Sequence, residues 1–155
     1  MSVVVDRMSL VAAVAASLSV AAVEVALREQ GLTLDLADGA PTDLSVAEWL
    51  ARGAPGARDP FRDPADHLVA GLDARLLDGN ELRVRPGPRR AAGPDLVALF
   101  VGTDGRFGDI SRAHLRVHPV GVRRPEGARF VRAPEPPLNE LELSLLDVVR
   151  RELGD

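Results

Sequence analysis

The residues whose types and spacing could do chemistry are three histidines and two loop aspartates. His114 and His118 stand four apart. On a helix that spacing would bring both imidazoles to one metal ion; on a strand they share a face about 13 Å apart, too far for a common ion. The surrounding residues alternate, which selects the strand and leaves an exposed pair. His67 follows Asp63 and Asp66. Those carboxylates suit a helix N-terminus electrostatically and call for no metal. Asp104 and Asp109 bracket Gly105-Arg106-Phe107-Gly108. Such a loop could hold Ca²⁺ or do acid–base work, but the spacing is not that of an EF-hand and no third acid adjoins it. Turn chemistry accounts for Asp-Gly and Gly-Asp. Gly102, Gly105 and Gly108 recur every third residue, which is not the dinucleotide fingerprint, and no helix pattern follows. None of the seven Ser sits in a nucleophile elbow. The lack of Cys excludes disulfides, Cys-zinc sites and thiol catalysis, and the lack of Lys excludes Schiff bases and a Walker-type phosphate loop. The sequence therefore predicts no catalytic residue, no metal ligand and no cofactor, and the chain reads as a non-enzyme.

What remains is charge. The net charge of -4 is unevenly placed. Residues 1–80 hold six Arg against twelve acids, residues 81–133 eleven Arg against five acids, and residues 134–155 two Arg against six acids. A basic middle between acidic ends fits subunit pairing, a partner surface or a nucleic-acid patch, and equally the solvated faces of strands. The candidate interface comprises Ala16 and Leu18 in the apolar N-terminal run, Arg116, Arg123 and Arg124 in the basic stretch, and Glu140, Glu142 and Asp147 as acidic counterparts. A nucleic-acid stripe would use the same arginines for phosphates, but single-strand binders also need stacking platforms, and only Phe107 and Phe130 offer them there.

The elements that must position these residues follow from periodicity. Ala-rich Ser9 to Gln30 predicts a helix stopped by Gly31. Residues 8–23 carry no charge, yet the run is short and diluted for a membrane span and lacks the basic start of a signal peptide. A helix buried nearly all round, by the chain's own sheet or by a neighbouring subunit, accounts for it. The chain is accordingly expected in the cytoplasm, with export or membrane association through residues 8–23 as the minor alternative. Leu32 to Leu36 alternates as a strand, and Leu44 to Arg52 is a short helix with Asp43 as its cap. Residues 53–64 are a Pro/Gly-rich loop and the place for a boundary between an N-terminal helical segment and a C-terminal sheet segment within one domain, 1–155. Leu68, Leu72 and Leu76 predict a helix from Pro64 to about Leu77; Glu81 to Arg85 alternates as a strand. Leu96 to Val101, continuously apolar, reads as a central strand. Ala113 to Val122 reads as a strand that Pro119 demotes to an edge or ends early, and Ala128 to Val131 as a further short strand. Residues 140–146 fit strand or helix, and Leu146 to Leu153 a helix.

From residue 66 to 146 the order of signals resembles a known family. It runs helix, short strand, Pro/Gly loop with Gly93-Pro94, apolar Leu96–Val101, the turn Pro125-Glu126-Gly127, then Pro136-Pro137-Leu138 leading into Leu141-Glu142-Leu143-Ser144-Leu145-Leu146. This is similar to the N-terminal domain of cap (tail-terminator) proteins of contractile phage-tail-like injection systems. The chain departs from that pattern at Phe100-Val101-Gly102 and in having no Tyr. The resemblance implies a non-enzymatic, ring-forming protein that closes a tube end. The expected architecture is α+β: a single, mainly antiparallel sheet of four to five strands, an Ala-rich N-terminal helix, one or two middle helices and a C-terminal helix. The expected function is structural, through protein–protein contacts or self-association. The alternative is an accessory nucleic-acid-binding domain using residues 81–133; a membrane partner is not expected.

Overall fold

The computed structural model describes residues 3–58, 67–87 and 95–122, with Val148 and Arg151. Strands β1 (Val3–Asp6), β2 (Val11–Ala15), β4 (Val69–Leu76), β5 (Glu81–Val84) and β6 (Gly108–Arg116) form one antiparallel sheet in the order β1-β2-β6-β4-β5. A separate pair joins β3 (Leu32–Thr33) to β7 (His118–Pro119). Helix α1 (Val20–Arg28), helix α2 (Val46–Ala51) and a 3₁₀ turn at Leu96–Leu99 complete the α+β architecture. Ala12, Val14, Leu72, Ala74, Ala113 and Leu115 point from one face of the sheet into a core closed by Val20, Val23, Leu27, Trp49, Leu50 and Phe100.

Three segments differ from the periodicity reading. The Ala-rich run is not one helix: Val11–Ala15 is a strand, and helix begins only at Val20, capped by Ser19. Alanine favours helix locally, but Val11–Ala15 pairs with both β1 and β6, and tertiary pairing outweighs a propensity of a few tenths of a kcal/mol per residue. The expected helix through Leu77 is β4. A spacing of four residues is two full strand periods as well as about one helical turn, so Leu72 and Leu76 satisfied both templates. Leu96–Leu99 is 3₁₀ rather than strand, because the Asp95 carboxylate accepts from the Val97 amide and starts a turn. Its buried residues, Val97, Phe100 and Val101, follow helical spacing.

Two smaller differences matter for the site. Ser45, not Asp43, caps α2: its hydroxyl accepts from Glu48 N–H, while the Glu48 carboxylate accepts from Ser45 N–H, a complete capping box. The strand carrying His114 is central, not an edge, because Pro119 falls beyond it in β7. Arg116 is thus the last residue of a strand paired on both sides. The expected helix start at 64–66 and the strand at 128–131 lie outside the described residues; of the helix expected from 146 only Val148 and Arg151 are described, and both are helical. Among the described residues no helix is long and apolar enough to cross a membrane.

Candidate functional site

The face of the sheet turned away from the helices carries a recess. Register sets its floor: Val4, Ala13, His114 and Gly71 lie in one row across four strands, and Asp6, Val11 and Arg116 in the next. Pro86 and Gly87, on the segment leaving β5, rise beside His114 and Arg116. The recess encloses about 460 Å³ and is lined mainly by apolar groups. Gly71 makes this crossing geometrically possible. A Cβ there would stand 2.5 Å from the Val84 carbonyl oxygen and 2.7 Å from Pro86 N, so any side chain would push the β5 exit away. The Arg116 guanidinium donates to the Gly87 carbonyl (3.2 Å), and Gly87 N–H donates to the Ala70 carbonyl (3.2 Å), which pins the wall to β6 and β4.

The polar groups around the recess are fixed locally. Asp6 opens the β1–β2 turn; its carboxylate accepts from the Ser9 hydroxyl (2.6 Å) and from the Met8 and Ser9 amides. The Ser9 hydroxyl chiefly, then those two amides, hold its carboxyl below the usual value. Burial pushes the His114 imidazole below its ordinary value; Asp73 opposes this and Arg112 adds to it, so the ring is neutral at pH 7. Asp73 itself pairs with Arg83 at 3.2 Å on the same face.

A second polar group lies around the β3–β7 pair. Glu24 of α1 accepts from the Thr33 hydroxyl, the Leu34 amide and Arg28. Arg58 pairs with Asp35 at 3.4 Å. His118 sits opposite Thr33. Burial first, then Arg58, lower its pKa, with Asp35 acting against them and His67 with them. His114 and His118 therefore belong to different sheets. Asp104 and Asp109 are parted as well: Asp104 lies in the turn tied to α2 through its amide and the Ala51 carbonyl, whereas Asp109 pairs with Arg75 in the sheet. Among the described residues no three His, Asp or Glu converge on a metal-sized point.

The N-termini of α1 and α2 are both closed to an anion. In α1 the Val20, Ala21 and Ala22 amides donate to the Leu44 and Thr42 carbonyls and the Ser19 hydroxyl. In α2 the Val46, Ala47 and Glu48 amides donate to the Leu18 and Ala16 carbonyls and the Ser45 hydroxyl. Of the residues marked as an interface from sequence, Ala16 is in the core and Leu18 is half-buried beside α2, while Arg116 lines the recess. Arg123, Arg124, Glu140, Glu142 and Asp147 lie outside the described residues. Val4, Asp6, Val11, Ala13 and Gly87 escaped the sequence reading because the β1–β2 hairpin was hidden in an Ala-rich run. The signal that could have found it is the polar Asp6–Ser9 turn between two Val-bearing segments.

Comparison with known proteins corrects the functional reading. No protein-family model matches the chain. It is 30% identical over 94 residues to the uncharacterized FAD-linked oxidoreductase YgcU of Escherichia coli (strain K12), a match covering 61% of the chain and 19% of the relative. It is 35% identical over 98 residues to a probable mitochondrial D-lactate dehydrogenase of Danio rerio, again 61% of the chain and 19% of the relative. Solved structures of alkyldihydroxyacetonephosphate synthase in two crystal forms share the fold at a TM-score of 0.64 and 24% identity, covering 77% of the chain and 21% or 22% of theirs. These matches overturn the resemblance to phage-tail cap proteins, the non-catalytic structural role and the non-enzyme reading, and they lend no support to a nucleic-acid-binding role. The resemblance failed because it rested on an order of elements whose first helix and apolar strand are in fact a strand and a 3₁₀ turn. The chain spans about a fifth of the length of the curated relatives it matches, so it is similar to one stretch of proteins named as an FAD-linked oxidoreductase and a D-lactate dehydrogenase.

Proposed function

We propose that the chain is an enzyme domain of the FAD-linked oxidoreductase type, forming one antiparallel-sheet part of such a protein. The observation that carries this reading is the 30–35% identity over more than ninety residues to an uncharacterized FAD-linked oxidoreductase and a probable D-lactate dehydrogenase. The likeness in fold to the synthase supports the architecture alone. The N-termini of α1 and α2 do not fit the phosphates of a dinucleotide. FAD brings two phosphates, and phosphates are commonly received by free amides at a helix N-terminus. Here the first-turn amides of both helices are already engaged, and in α2 the Glu48 carboxylate stands at that end. These two helix ends therefore do not receive the phosphates, and no catalytic step is assigned through the flavin.

A chimera tests the reading. The matching stretch of the E. coli oxidoreductase is replaced by this chain's 94 aligned residues, and the product is passed through gel filtration. The expected result is a folded protein that keeps its visible flavin absorbance. A chimera that melts cooperatively but elutes colourless would sink the proposal.

A further inference from the structure

We propose, independently of the oxidoreductase reading, that the free edge of β1 pairs with β1 of a second copy of this chain, the two strands running antiparallel about a twofold axis at Val4. The five-stranded sheet ends in two edges of opposite character. An open edge is a row of unpaired N–H and C=O groups, and proteins guard it with charges, proline or bulges. The β5 edge is guarded: Glu81, Arg83 and Arg85 stand exposed along it, and Pro86 follows. The β1 edge is not. It pairs with β2 residue for residue, without a bulge, and among the described residues nothing pairs with its other side. Val3, Val4 and Val5 follow one another, and valine is a strong strand former. Val3 and Val5 pack against the core, whereas Val4 is 62% exposed on the open face.

The residues of the strand select a second copy as the occupant. A twofold pairing uses the same patch on both chains, so the patch must complement itself. Centred on Val4, the pairing sets Val4 against its own copy and Val3 against the partner's Val5, all β-branched pairs of the kind that stabilise a sheet. Asp6 lies two residues from the axis, so the two copies of it stand four residue rises, about 14 Å, apart along the strands. An axis at Val5 would halve that separation. Directly opposed residues point to the same face of a sheet. The covered faces of both copies therefore stay on one side, and the two Val4 side chains meet on the other. Four residues per copy make a small contact, so the dimer is of the transient class, with a dissociation constant on the order of 100 µM.

Sedimentation velocity of the whole chain tests the pairing. Wild type is expected to pass from monomer to dimer around that concentration. Val4→Lys and Val4→Glu, both at an exposed side chain, set like charges across the axis and should each weaken association about tenfold or more. Mixed in equal amounts the two variants should associate again, because opposite charges then face each other. Val4→Cys gives a chain without cysteine a single thiol. Directly opposed residues of an antiparallel pair have Cα atoms about 4.5–5.5 Å apart, inside the range that a disulfide spans. Mild oxidation should therefore link two copies, whereas Val25→Cys, as exposed on α1, should stay largely monomeric. Wild type still monomeric at about 1 mM, ten times the expected constant, overturns the proposal. So does a dimer that both charge variants leave unchanged, or a loss that mixing does not reverse. Should a charge variant fail to fold, the two thiol variants decide the matter, and equal cross-linking of both overturns it.

Discussion

The two faces of the five-stranded sheet are made by alternate residues of the same strands, yet they behave as different materials. On the covered face Ala12, Val14, Leu72, Ala113 and Leu115 are fully buried under two helices and Trp49. On the open face Val4 is exposed, Arg83 pairs with Asp73, and Arg116 braces a loop. Surface ion pairs of that kind contribute at most about 1 kcal/mol. The comparison teaches that stability resides on the covered side of the sheet, whereas the other side, one residue apart along each strand, carries exposed polar pairs and a recess.

That division can be broken or sharpened by substitution. The largest effect is expected from Ala16→Glu. Ala16 is 1% exposed and both its backbone groups are hydrogen-bonded, so the carboxylate has no route to water. It should cost several kcal/mol, and failure to observe a large drop in urea midpoint would show that the covered face is not sealed. Trp49→Ala comes next, at about 3–5 kcal/mol, because it removes a fully buried indole whose N–H donates to the Pro55 carbonyl. Ser19→Ala should cost about 1 kcal/mol, the cap of α1, measured the same way.

Acidification gives a graded effect. Both His114 and His118 have folded-state pKa values below 6.5, so folding favours their neutral forms. The associated stability is present above pH 6.5 and is lost as pH falls through their lower folded values. Asp6 and Glu48 are likewise depressed, so a second loss sets in as pH falls below about 4.5, the upper of their two reference values. Melting temperature between pH 7.5 and 5 should fall, and His118→Gln should flatten that part of the profile; an unchanged slope would show that His118 does not contribute. The smallest effect belongs to Val25→Ala. Val25 is 60% exposed on α1, and its removal should stay within about 0.5 kcal/mol.

Much of the outline was legible from residues. Glu81–Val84 and Val46–Ala51 were found within two residues of their bounds, because a short alternation between turn signals and an apolar run behind a capping residue are specific, although the S-x-x-E box that caps the helix went unread. The Gly102–Gly108 turn was legible from its glycines. The β2 and β4 strands were not, one hidden by alanine's helix propensity and the other by a leucine spacing that serves both periods. The recess was illegible for a further reason. Val4, Ala13, Gly87 and His114 meet only through the pairing of β1, β2 and β6, and no local pattern in any one of them marks a site. The likeness to oxidoreductases was equally invisible to motif reasoning, since the sequence offers no dinucleotide fingerprint and the N-termini of α1 and α2 are closed.

The position of β6 at the centre of the sheet has a consequence for synthesis. Its partners β2 and β4 leave the ribosome well before it does, and until residue 116 emerges each hairpin, β1–β2 and β4–β5, carries an open hydrogen-bonding edge. Sheet closure must join residues about a hundred positions apart, a non-local step that folds slowly and leaves those edges exposed to other nascent chains. Translation pauses upstream of Gly108 would thus prolong an aggregation-prone interval, whereas rapid delivery of the 108–116 segment would end it by filling both edges with one strand.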